Sequence, residues 1–137
     1  MKLMLLLTTL SLMLTPTQTN QCETGYATLH QAWASVFYNF PERKDPNVDG
    51  YVAVVDCSQI GQYRWMKFGE GWYWVKIADC LNRSLEPKPG WLVDVSPNIW
   101  YAEFPYVPLG GHPAQLCTTR PSPPNLQDMQ KLLKIIQ

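Results

Sequence analysis

The stretch Trp91-Leu-Val-Asp94-Val-Ser96-Pro97-Asn98-Ile-Trp100 decides how the rest of the chain is read. Its first five residues are branched, aromatic or acidic, and Ser-Pro-Asn then stops the strand, because proline cannot donate to a ladder. Alternation sets Trp91, Val93 and Val95 on one face and Leu92, Asp94 and Ser96 on the other. A carboxylate on such a strand must find hydrogen-bond partners or line a solvated groove, since burying it unpaired is costly. The plain alternative is that Asp94 accepts backbone N–H groups of the following turn. A second acid, Asp79, stands fifteen residues earlier, near the end of the β-like run Trp72–Cys80. As strand-borne acids near strand ends, Asp79 and Asp94 are the first candidates for function.

Outward from these runs, Tyr63–Phe68 pairs with Trp72–Cys80 across Gly69-Glu70-Gly71, a short glycine-flanked hairpin connection. Tyr51–Cys57 reads as a β-branched strand, and Glu23–His30 as a first strand with a glycine near its start. Gln31–Phe40 fits a short helix or an irregular loop, while Pro41–Gly50 and Leu81–Gly90 are turn-rich loops. Ile99–Phe104 and the prolines and glycines after it predict an extended or looped path to Cys117. Pro121-Ser-Pro-Pro124 is a stiff spacer, and the apolar residues from Leu126 to Ile136 recur at helical spacing. Packing back onto the domain is the expected role of that helix. Short strands, many turns and little helix imply a small mainly β domain, closed or sandwiched.

Residues 1–19 read as a signal peptide, with Lys2 before an apolar run too short to cross a bilayer and a polar exit after it. Export is therefore expected, to the extracellular space or a periplasm. Residues 20–117 then form one domain, and 118–137 the spacer and helix. Four cysteines in an exported chain imply two disulfides. Cys57 and Cys80 each close a β-run, and Cys22 and Cys117 bracket the domain, so Cys57–Cys80 with Cys22–Cys117 is the favoured pairing. No Cys-x-x-Cys and no clustered histidines suggest a metal site, and no cofactor is expected. The 11 basic and 11 acidic residues balance without a basic block, which argues against nucleic acid or anionic membrane as partner. No integral membrane segment is expected in the mature chain, which should be a monomer.

Gly25-Tyr-Ala-Thr28, Val75-Lys-Ile-Ala-Asp79-Cys80 and Leu92-Val-Asp94-Val-Ser-Pro-Asn98 occur in one order. Together they resemble the double-psi β-barrel domain of expansins, barwin-like proteins and the rare lipoprotein A group, over about Gly25 to Trp100. The resemblance implies a six-stranded barrel with an open polysaccharide groove lined by Thr28, Asp79 and Asp94. Leu81 stands where bacterial expansins carry a tyrosine. The Asp-Arg-Gly-Pro of the rare lipoprotein A group is Asp79-Cys-Leu-Asn82 here, with no histidine before Asp94. The 39 residues from Ile99 onward are too short for the second domain of true expansins.

The six tryptophans exceed what a small core needs, and pyranose rings stack on flat aromatic faces. Trp33 and Tyr38, beside the Thr28 strand, are the preferred groove aromatics. His30 and His112 read as surface or loop residues, and Asn82-Arg83-Ser84 is a glycosylation sequon meaningful only in a eukaryotic host. The first functional expectation is a secreted barrel that binds, and in expansin fashion loosens, cell-wall polysaccharide (cellulose, chitin or peptidoglycan) without hydrolysis. The second is an enzyme, either a peptidoglycan lytic transglycosylase using Asp79 or Asp94 as its single acid or a glycoside hydrolase with both as its carboxyl pair. The third is a non-catalytic interaction or inhibitor module in which both acids are structural.

Overall fold

The computed structural model describes residues 21–81, 88–106, 110–120 and 126–136. The signal segment, the sequon and the proline spacer lie outside the described residues. Six strands form the domain: β1 (Cys22–Leu29), β2 (Gly50–Val54), β3 (Tyr63–Phe68), β4 (Gly71–Cys80), β5 (Trp91–Val95) and β6 (His112–Cys117). Among the described residues three α-helices accompany them, α1 (Trp33–Asn39), α2 (Pro97–Glu103) and α3 (Leu126–Ile136), with short 3-10 turns at Pro41–Arg43 and Cys57–Gln59. The strands close into a barrel in the order β1-β5-β2-β4-β3-β6. β1–β5 and β2–β4 run parallel, and the other four pairs are antiparallel. This mixed six-stranded closure is compatible with a double-psi barrel, and it leaves no sheet edge unpaired.

Ala27, Val52, Val54, Met66, Phe68, Val75, Ile77, Val93 and Val95 fill the interior. They alternate with outward residues, as a half-buried strand requires. Two irregularities break the alternation. On β5 the partners of Tyr26 and Ala27 are Trp91 and Val93, so Leu92 is an extra residue. On β4 the partners of Val52 and Ala53 are Ile77 and Asp79, so Ala78 is extra. Strict alternation would send Asp79 inward behind Ile77; the bulge at Ala78 turns it outward instead. The bulge at Leu92 likewise corrects the expected facing of Trp91, which shares the outer face with Asp94.

The looped path expected after Asn98 is corrected as well. Ile99–Phe104 mostly belongs to helix α2, and residues 112–117 form the sixth strand. Pro97 sits at the start of α2, where its missing N–H costs nothing. Ile99 and Trp100 of α2 are buried with the barrel core. Trp100 lies against Phe68 at 5.2 Å and His112 at 5.3 Å, and His112 stacks on Phe104 at 3.9 Å. His112 is thus part of an aromatic cluster rather than a bare loop residue. Ser96 does not cap α2 with its side chain; its Oγ accepts from Tyr51 N at 3.0 Å and donates to Asn98 Oδ1 at 2.7 Å. Asn98 Nδ2 in turn donates to Asp49 O at 2.7 Å, so Ser-Pro-Asn ties β5 to the start of β2. Gly50 is required there, because a Cβ would stand 2.4 Å from Ile99 Cδ1 and 2.6 Å from Ser96 Oγ.

Both expected disulfides form. Cys22–Cys117 joins register partners of β1 and β6, and Cys57–Cys80 ties the turn after β2 to the end of β4. Among the described residues, no helix is long and apolar enough to cross a membrane. On α3 the described side chains of Leu133, Ile135 and Ile136 are 59%, 81% and 80% exposed.

Replacing Cys22 and Cys117 together by alanine should cost about 2–5 kcal/mol, read by urea denaturation. The same change at Cys57 and Cys80 should cost about 1 kcal/mol less, because it opens a loop of 23 rather than 95 residues. At alkaline pH, Tyr73 supplies a second test. Burial, then its 2.5 Å hydrogen bond to Glu103, push its hydroxyl up to about 12. The neutral phenol favours the folded state, so its contribution is intact below about pH 10 and lost as the pH climbs toward about 12. A stability scan over that window should fall more steeply for the wild type than for Tyr73→Phe.

Candidate functional site

One register row carries the site. Thr28 on β1 pairs with Asp94 on β5, Asp94 with Ala53 on β2, and Ala53 with Asp79 on β4. Directly opposed residues share a face, so the hydroxyl, the two carboxylates and the small Ala53 between them lie on the outward face of the barrel, where Ala53 itself is buried. Two strand spacings separate Asp94 from Asp79, about 9–10 Å between their backbones. The three residues expected from sequence are therefore brought together in one line.

Asp94 is held by side chains and not by the turn that follows it. Thr28 Oγ1 donates to Asp94 Oδ1, and Trp91 Nε1 reaches the same oxygen at 3.0 Å and Thr28 Oγ1 at 3.1 Å. This disposes of the turn-capping alternative, since no backbone N–H among the described residues donates to Asp94. The indole meets the carboxylate because the Leu92 bulge rotates Trp91 onto this face. Asp94 Oδ2 takes no hydrogen bond from the described residues. Beside it opens a cleft of about 360 Å³ lined by Tyr26, Thr28, Leu81, Lys88, Trp91, Asp94 and the Gly110-Gly111 backbone. A Cβ on Gly111 would stand 2.2 Å from the Tyr26 ring, so glycine is what lets this wall close against the tyrosine.

At the other end of the row, His30 Nε2 lies 3.0 Å from Asp79 Oδ2. Ala32 N donates to His30 Nδ1 at 3.0 Å, which makes Nδ1 the acceptor and Nε2–H the donor to Asp79. The two side chains are 12% and 27% exposed, so His30 is not the free surface residue expected from sequence. A signal was present: His30 lies two residues beyond Thr28, at the spacing that returns a strand to the same face.

Trp33 corrects another expectation. It is 7% exposed, stacks on His30 at 4.3 Å, and packs with Phe37 and Tyr51. Ala53 and Ala78 are small enough to admit α1 over the sheet, and the indole fills that space. Trp33 therefore supports His30 and offers no open face to a sugar. Tyr38 is 87% exposed and is not among the residues lining the cleft. Among the described residues, no group of three or more His, Cys, Asp or Glu side chains is arranged to hold a metal ion.

Thr28→Val removes one donor to Asp94 and Trp91→Phe the other; each should cost about 1–2 kcal/mol in chemical denaturation. Because both donors serve one oxygen, the double variant should depart from additivity by at least about 0.5 kcal/mol.

Comparison with protein-family models, with curated proteins and with solved structures finds no match.

Proposed function

We propose that this chain is a secreted polysaccharide-binding barrel whose groove opens beside Thr28 and Asp94 and which holds its ligand without hydrolysing it. The observation that carries the reading is the cleft beside Asp94, where a carboxylate, a hydroxyl, an ammonium and two aromatic rings converge. A sugar needs that mixture. Its hydroxyls donate to carboxylate oxygens and accept from ammonium groups, while its C–H faces lie on aromatic rings. The two disulfides fit an oxidising compartment.

Binding without cleavage is favoured by the way the second acid is used. Paired-carboxyl hydrolysis needs both groups free to flank one bond. Here Asp79 Oδ2 is engaged by His30, and Ala53 stands between the two acids. A transglycosylase needs one acid alone, and Asp94, which lines the cleft, is the residue that reading would use.

A pull-down of the oxidised protein on insoluble cellulose, chitin and peptidoglycan, with soluble sugars assayed in each supernatant, tests the proposal. Retention on at least one polymer without released sugar is expected, with Asp94→Asn reducing retention about tenfold or more. Released anhydro-sugars would make the protein an enzyme. No retention on any polymer would leave the barrel as an interaction module.

A further inference from the structure

A second register row lies on the same outer surface. Thr24 on β1 pairs with Gln115 on β6, Gln115 with Lys67 on β3, and Lys67 with Trp72 on β4. A hydroxyl, an amide, an ammonium and an indole thus stand side by side. They line a cleft of about 460 Å³ together with Gly25, Gly69, Pro113 and Ala114. Thr24 and Gln115 have no side-chain hydrogen bond among the described residues. Lys67 Nζ spends one donor on Glu70 O at 3.1 Å and sits 6.0 Å from the centre of the Trp72 ring, so two of its three donors remain.

The two clefts are neighbours along one strand. The outward residues of β1 run Thr24, Tyr26, Thr28; Tyr26 walls the first cleft, and its register partner Pro113 walls the second. Four residues of extended chain separate Thr24 from Thr28, about 13 Å. We propose that the binding track continues from Asp94 over the Tyr26–Pro113 ridge into the second cleft, where Trp72 stacks a further sugar of the same chain. Gln115, Lys67 and Thr24 then bind its hydroxyls. The inference rests on reading the Asp94 cleft as a glycan site, and it adds the location and residues of a distal subsite on the opposite side of β1.

The occupant follows from continuity and chemistry. A short ligand confined to the Asp94 cleft cannot reach Trp72, whereas a polymer laid along β1 must cross the second cleft. Unpaired neutral hydrogen-bonding groups beside one indole suit a sugar better than a peptide helix, which would need an apolar groove.

The test is calorimetric titration of the full oxidised protein with disaccharides and hexasaccharides of the cello and chito series and with glycan fragments released from peptidoglycan. In the wild type, the longer member of the recognised series should bind about tenfold tighter than the shorter. Trp72→Ala should erase that gap and leave disaccharide affinity unchanged, which also reports that the variant is folded. Asp94→Asn should weaken both lengths. If Trp72→Ala does not fold, the Lys67→Ala, Gln115→Ala double variant should narrow the gap at least threefold. A hexasaccharide that binds these variants as tightly as the wild type overturns the distal subsite while leaving the Asp94 reading standing. A wild type that binds no oligosaccharide overturns both.

Discussion

Closing six strands into so small a barrel imposes a phase on every one of them. Each strand must present apolar residues to an interior already filled by Phe68, Met66, Trp100 and the valines, and a residue out of phase would put a charge there. Asp79 follows an alternating inward run and would be that residue. The extra Ala78 on β4 resolves the conflict by turning the carboxylate outward before the strand ends. The extra Leu92 on β5 does the same for Trp91. Both bulges occur on strands of the parallel pairs, and both lie beside the row that carries Thr28, Asp94 and Asp79. Packing inside the barrel and chemistry outside it are therefore set by the same two residues.

The outer row depends on supports from three directions. Ser96 and Asn98 hold β5 against the start of β2 through Tyr51 N and Asp49 O, which keeps Asp94 level with Ala53. Helix α1 covers Ala53 and Ala78 with Trp33, and the same indole backs the ring of His30 that holds Asp79. Glu103 at the end of α2 reaches Tyr73 Oη and the Glu70 backbone, steadying the β3–β4 hairpin on which Lys67 and Trp72 stand. The aromatic residues accordingly divide by position. Trp100 and Phe68 fill the interior, Trp33 seals a helix to the sheet, and Trp91 and Trp72 border open clefts.

Much of this arrangement was legible in the residues. Branched and aromatic runs located the strands, glycines located the β3–β4 turn, and the cysteine positions indicated a pairing that the register of β1 and β6 bears out. Helix α2 was not legible, because prolines and glycines soon after it resemble a loop and only the barrel interior explains why Ile99 and Trp100 coil inward. His30 was undervalued because its partner lies 49 residues away. Trp33 was overvalued because an indole next to a candidate site reads the same whether it is open or covered.

Local pattern and residue type were enough to indicate the class of the fold and the two disulfides, and to single out Asp79 and Asp94 as candidates. Which acids stand on one face, and beside which ring, was decided only by the tertiary structure. A single extra residue inverts the facing of everything after it, and no local propensity marks Leu92 or Ala78 as that residue. They become bulges because the closed barrel, with its interior already full, accepts the neighbouring strands in no other register.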